Sequence, residues 1–253
     1  MDTNFSAATA SRGGASFSDL PRGVDRGQFR PSRRSRAWRR AHGIADQDVV
    51  LLFFRRLVVE KGLAVFAAAV GELRRLATPV SILIVGDGPE RRHLKRMLLD
   101  AVFTSHLDDD ALARAIASAA ILLNLSVTDA FGNVTLEAMA SAVVPIATDV
   151  PANQLLIEPG TPATYAIAVQ ALVTAPQRLE EMASAGAGAA KAFRWDETLY
   201  TVLAGYREVV CRTETNTLGP GLQSMLQKCG DLVEPAGNPA PAADIRCEAK
   251  RLT

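Results

Sequence analysis

Cysteine is scarce in this chain: Cys211, Cys229 and Cys247 are the only three among 253 residues, widely spaced and confined to the last part. That spacing suits neither a disulfide framework nor a Cys-x-x-Cys metal site. Histidine is scarce too, and His42, His93 and His106 belong to no readable Ser-His-Asp or Cys-His arrangement. No uninterrupted apolar run is long enough to span a bilayer. The first residues, MDTNFSAATASRGGASF, lack the apolar segment of a secretory signal. Neither sign of charge is in excess, with 28 Lys plus Arg against 27 Asp plus Glu, so charge gives no general argument for nucleic acid as a partner. A reducing cytoplasm is the compartment these absences suggest. What is present is 48% hydrophobic and 22% charged, the balance of a globular protein able to bury a real core.

The apolar residues fall into short runs separated by turn residues and helical patterns. Runs at Asp48–Phe54, Pro79–Val85, Ala101–Thr104, Ala119–Leu125 and Val143–Thr148 read as five strands. Helical periodicity follows them over Leu63–Leu76, Pro89–Leu99, the segment opened by Asp108–Asp110, Asn133–Ser141 and Ala163–Thr174. Strand and helix alternating with short connections predict an α/β domain built on a doubly wound parallel sheet. Residues 1–20 are small and polar and are expected to be a disordered extension. Residues 21–212 form the domain, and 213–253 read as a flexible tail.

Chemistry-bearing side chains gather after the strands. In Ser126–Ser141 an apolar strand ends in a short loop, and Phe131, Gly132 and Asn133 open a helix, where free N–H groups and the helix dipole favour an anion. Asp129 lies in the loop and Glu137 just over one turn into the helix. Acids near a helix start complement the dipole. Glu137 lies past that range among apolar neighbours, and a carboxylate there needs a partner or a ligand hydroxyl. Arg56 and Lys61 flank the connection between the first strand and its helix, where cations either hold a phosphate or sit on a solvated surface. Gly86-Asp87-Gly88-Pro89 is a tight turn, and Arg91 stands where a dinucleotide fingerprint would carry its third glycine. Arginines crowd Pro21–Arg40, which reads as a solvated segment leading into a short helix, or else as a contact with an anionic membrane surface or acidic partner. Asp108, Asp109 and Asp110 read as helix caps.

These stretches together resemble the C-terminal domain of retaining glycosyltransferases of family 4, which have the GT-B fold. That family carries Glu-x-Phe-Gly-x-x-x-x-Glu-Ala-Met-Ala-Ser-Gly, and this chain has Asp129, Phe131, Gly132, Glu137, Ala138, Met139, Ala140 and Ser141, with Ala142 for the last glycine. Arg56 and Lys61 match a Gly-Arg-Leu-x-x-x-Lys-Gly motif in which Arg55 replaces the first glycine. Gly86 and Gly88 match Val-Gly-x-Gly-Pro, and Ser105 replaces a glycine of a turn that faces the nucleotide base. Gly23-Val24-Asp25 and Phe193-Arg194-Trp195 resemble the segments that open and close the domain.

The resemblance implies a Rossmann-like half that binds a nucleotide-sugar donor, with no cofactor and no metal. Arg56 and Lys61 would bind the diphosphate, Asp129 the donor sugar and Glu137 the ribose, and these four are the expected catalytic residues. Gly86, Ser105, Phe131, Gly132 and Asn133 complete the expected donor-binding set. It also implies an acceptor-binding N-terminal domain, which nothing before Pro21 can build. A separate chain supplying that domain is therefore an implied partner. A degenerate paralogue that binds a nucleotide sugar without transfer is the alternative.

Overall fold

The computed structural model describes residues 11–12, 15–16, 22–126, 132–148 and 161–213. By internal contacts the chain divides into one unit, Met1–Val202, and a second, Leu203–Thr253. The first unit holds all the strands among the described residues. Strands β1 (Ser11–Arg12) and β2 (Ala15–Ser16) make a small antiparallel pair. Then follow helix α1 (Arg36–Ala41), β3 (Val50–Phe54), α2 (Leu63–Arg75), β4 (Ser81–Val85), α3 (Arg91–Met97), β5 (Val102–Thr104) and α4 (Asp109–Ala117). The order continues with β6 (Ile121–Asn124), α5 (Asn133–Ala140), β7 (Val144–Ala147), α6 (Pro162–Val173), α7 (Pro176–Ala189) and α8 (Trp195–Thr213). In the second unit the described part is 203–213, the end of α8.

Five strands form one parallel sheet in the order β5-β4-β3-β6-β7. The expected doubly wound parallel sheet is the observed one. Its central strand shows why. All five residues of β3 are buried, and they alternate between two cores. Leu51 and Phe53 face α2 and α6, packing with Phe66, Val70, Leu73, Tyr165 and Val169. Phe53 meets Phe66 edge-to-face at 5.1 Å between ring centroids. Val50, Leu52 and Phe54 face the other side, with Ile44, Ile116, Ala138 and Met139. Burying each such Leu or Phe stabilises the fold by about 2 kcal/mol.

Local chemistry sets the element ends. Ser35 caps α1 by accepting from the Trp38 N–H at 3.1 Å, and Thr161 caps α6 with Pro162 in the first turn. Asp48, expected inside β3, lies before it instead. Its carboxylate accepts from the Ser81 hydroxyl at 2.6 Å and the Ala45 N–H at 3.1 Å.

Two expectations need correction. The arginine-rich segment is not simply solvated. Arg39 is 1% exposed and donates to the carbonyls of Asp48 (2.6 Å), Ala45 (2.7 Å) and Ser118 (3.4 Å). Arg34 donates to the Ala119 carbonyl at 3.0 Å. These arginines fasten the leading segment to the sheet domain. Nor do the three aspartates act as caps through their side chains. Asp108 makes no side-chain cap bond, and Asp110 pairs with Arg33 at 2.9 Å. The two motifs read as opening and closing the domain do meet: the Val24 N–H donates to the Phe193 carbonyl at 3.1 Å. Among the described residues no helix is long and apolar enough to cross a membrane.

Candidate functional site

The sheet reverses direction between β3 and β6. The chain moves outward from β3 through β4 to β5, then returns to β6 on the other side. In parallel α/β sheets the crevice beyond the carboxyl ends of such a pair is where ligands bind. Here four segments converge on it: 55–62 after β3, 86–90 after β4, 105–108 after β5, and the start of α5 after β6.

The first segment carries Arg56 and Lys61. The Arg55 N–H donates to the Val85 carbonyl at 3.1 Å and extends the ladder by one residue. Among described non-glycine residues only Ala77 and Ala142 have positive φ, so Arg55 needs no glycine conformation. Arg56 is exposed, and its side chain makes no hydrogen bond or ion pair with any described residue. Lys61 ends a 3-10 turn, Val59–Lys61, and is half-buried. Gly62 follows with φ 77°, and a β-carbon there would meet the Leu125 carbonyl oxygen at 2.5 Å. Only glycine lets this loop lie against the end of β6.

The second segment is pressed onto the first. Gly86 has φ 135°, and a β-carbon on it would come 2.1 Å from the Arg55 carbonyl oxygen; one on Gly88 would come 2.3 Å from that of Leu57. The Leu57 N–H donates to the Asp87 carbonyl at 2.9 Å, and the Glu90 N–H to the Leu57 carbonyl at 3.2 Å. Ser105 and His106 are exposed just past β5.

After β6, the buried Asn124 donates from Nδ2 to Thr135 Oγ1 at 3.1 Å, tying the strand end to the first turn of α5. Gly132 is the N-cap with φ 45°, and among the described residues no side chain caps this helix. The helix starts on the carboxyl side of β6. Glu137 is half-buried one turn further in. Burial pushes its carboxyl up to about 7, and no described side chain bonds to it. Asp129 and Phe131 lie outside the described residues.

The structure thus places Arg56, Lys61, Gly86, Ser105, Gly132, Asn133 and Glu137 in segments that follow the carboxyl ends of β3, β4, β5 and β6. Sequence reasoning passed over Asn124 and gave Arg91 no role beyond breaking a dinucleotide fingerprint. The Arg91 guanidinium donates to the carbonyls of Gly86 (2.9 Å) and Thr104 (2.7 Å). The only signal for it was a cation in a glycine's place. Among the described residues no group of His, Cys, Asp or Glu could hold a metal ion.

A doubly wound parallel α/β sheet with its connecting loops gathered at the switch point is a Rossmann-like architecture. Residues 48–186 match the family described as "Glycosyl transferases group 1". The chain belongs to that family. It is 34% identical over 122 residues to a GDP-mannose-dependent alpha-mannosyltransferase of Corynebacterium glutamicum, a match covering 48% of this chain and 28% of that protein. It is 27% identical over 207 residues to a D-inositol 3-phosphate glycosyltransferase of Segniliparus rotundus, covering 74% of this chain and 46% of the relative. The chain therefore spans less than half the length of either relative. The fold superposes on that of HepE from Anabaena in complex with UDP-glucose with a TM-score of 0.65 at 19% identity, over 74% of this chain and 56% of that one. At that identity the likeness concerns the fold, the Rossmann-like half of a GT-B architecture.

Proposed function

We propose that the crevice is the donor site of a retaining, family 4 type glycosyltransferase and that it takes a nucleoside-diphosphate sugar. The observation that carries this reading is the convergence of Arg56, Lys61 and the half-buried Glu137 at one switch point. In glycosyl transfer the bond from the anomeric carbon to the diphosphate oxygen breaks, and negative charge builds on the leaving diphosphate. Arg56 binds that charge as a planar fork and Lys61 as a point charge, which stabilises the transition state more than the ground state. The start of α5 at Gly132 and Asn133 adds the positive end of a helix dipole.

Glu137 holds the nucleotide's ribose hydroxyls. A carboxyl near its midpoint at neutral pH both accepts and donates hydrogen bonds. Asp129 and Phe131 fall to the sugar side on this reading, by their match to the family motif. The acceptor is bound by a further GT-B half, supplied by another domain or chain. The mannosyltransferase relative supports a GDP donor, and the fold likeness to HepE with UDP-glucose supports a UDP donor.

Calorimetric titration with UDP, GDP and ADP tests the proposal. One of them binds, and Arg56→Ala combined with Lys61→Ala weakens it by about tenfold or more, as does Glu137→Ala. A folded protein that binds none of the three would sink the donor-site reading.

A further inference from the structure

The loops around the crevice are joined in two different ways. Segment 55–62 and segment 86–90 are stitched by backbone: Leu57 N–H to Asp87 carbonyl, Glu90 N–H to Leu57 carbonyl, and the close approaches at Gly86 and Gly88. Segments 86–90 and 105–108 share no such bond. The β4–β5 ladder ends at the pair Val85↔Thr104. Beyond it, among the described residues, the hydrogen bonds that hold the two turns together run through a single guanidinium, that of Arg91. It donates to Gly86 and Thr104 at 2.9 and 2.7 Å, replacing the ladder bond that would come next. The same guanidinium carbon stands 5.7 Å from the centroid of the Phe103 ring, a cation–π contact.

We propose that Arg91 is a positioning residue for the nucleoside end of the donor site. By bridging the Gly86 and Thr104 carbonyls it sets the separation of Gly86 and Ser105, the two turns that the family resemblance gives to the donor, and so tunes which base fits there. This rests on the donor-site reading above. Gly86 itself lies close against the Arg55 carbonyl, with a φ of 135° that only glycine adopts readily. The segment carrying Arg56 and Lys61 has a second tie that Arg91 does not make, Gly62 against Leu125. A change at Arg91 therefore acts on base recognition more than on phosphate recognition.

The experiment titrates the full chain with UDP, GDP, ADP and inorganic pyrophosphate, for the wild type, Arg91→Met and Arg91→Lys, each with a thermal melt. Methionine keeps much of the stem and removes the donors; lysine keeps the charge without the planar fork. The expected result for Arg91→Met is a loss of about tenfold or more for the preferred nucleotide and a flattened ranking of the three, with pyrophosphate affinity within about twofold. Arg91→Lys falls between. Nucleotide affinities unchanged in a folded variant would overturn the role of Arg91 alone. So would an equal loss of pyrophosphate and nucleotide, which marks general loosening. Should Arg91→Met fail to fold, the same split in Arg91→Lys decides, selective base loss supporting the role and its absence overturning it. A wild type that binds pyrophosphate and no nucleotide overturns the base subsite, and one that binds neither overturns the donor site itself.

Discussion

Gly62 lies directly against Leu125: a β-carbon on the glycine would fall 2.5 Å from the Leu125 carbonyl oxygen and 2.8 Å from its side chain. One missing methyl group lets the loop after β3 touch the strand end after the chain has returned through β4 and β5. Gly62 also has φ 77°, where an alanine is disfavoured by about 1–2 kcal/mol, and forced overpacking adds about 1–3 kcal/mol. Gly62→Ala should therefore lower the unfolding free energy by about 3 kcal/mol in denaturant titration. It should also weaken nucleotide binding, because Lys61 moves with the loop. Unchanged stability would mean that the two segments are not held in this contact.

Three helices end in the same left-handed turn, but they do not end in the same residue. After α1, Ile44 N–H bonds to Arg39 carbonyl and Gly43 has φ 72°. After α2, Thr78 N–H bonds to Leu73 carbonyl and Ala77 has φ 51°. After α5, Val143 N–H bonds to Ala138 carbonyl at 2.9 Å, Ala142 N–H to Met139 carbonyl at 3.0 Å, and Ala142 has φ 57°. This is the Schellman ending, in which glycine is favoured. Ala77→Gly and Ala142→Gly should each stabilise the protein, by about 1 kcal/mol, and raise the melting temperature. Gly43 has open space around its β-position, so Gly43→Ala should destabilise by a similar amount through φ alone.

Arg39 is a structural cation. With one residue bridging the carbonyls of Ala45, Asp48 and Ser118, the arm before β3 is locked to the turn after α4. Arg39→Met keeps the stem and strips these acceptors of their donor, which should destabilise by about 3 kcal/mol. Arg36→Met, an exposed neighbour in the same run, should leave stability unchanged within about 0.5 kcal/mol. Equal effects from the two would show that the run acts through charge rather than through these bonds.

The sheet was legible because its signals are local. Each strand is a short apolar run closed by turn residues, and β3 to β7 fall within a residue or two of where those runs lie. Arg56 and Lys61 stood out through their match to a family motif, since two cations before a glycine could equally sit on a solvated surface. Arg39 was not legible, because an arginine among arginines looks solvated until the carbonyls of Asp48 and Ser118 are brought to it. Arg91 was not, because its acceptors lie five and thirteen residues away, one just past β4 and the other at the end of β5. Ala142 departs from the family glycine, and only the backbone reveals that the left-handed turn is kept nonetheless.

Glu137 makes the site sensitive to pH. Burial raises its carboxyl from the usual value of 4.5 to about 7 in the folded protein. Between these values the folded state holds a proton that the unfolded state has lost, so stability falls as pH rises from about 4.5 to about 7. A shift of this size corresponds to at most about 3 kcal/mol, with partial exposure reducing it. Glu137→Gln, neutral at every pH, should flatten the slope of stability against pH across this window and make the protein more stable at pH 8. Denaturant titrations of both proteins at pH 5, 6.5 and 8 measure it. Binding should respond in a related way: a nucleotide whose hydroxyls donate to the carboxylate would favour the ionised form and draw its midpoint downward. Nucleotide affinity should then rise with pH through about 7 in the wild type and stay level in Glu137→Gln. A pH-independent affinity in the wild type would remove Glu137 from the ligand's contacts and leave it a buried acid of the helix.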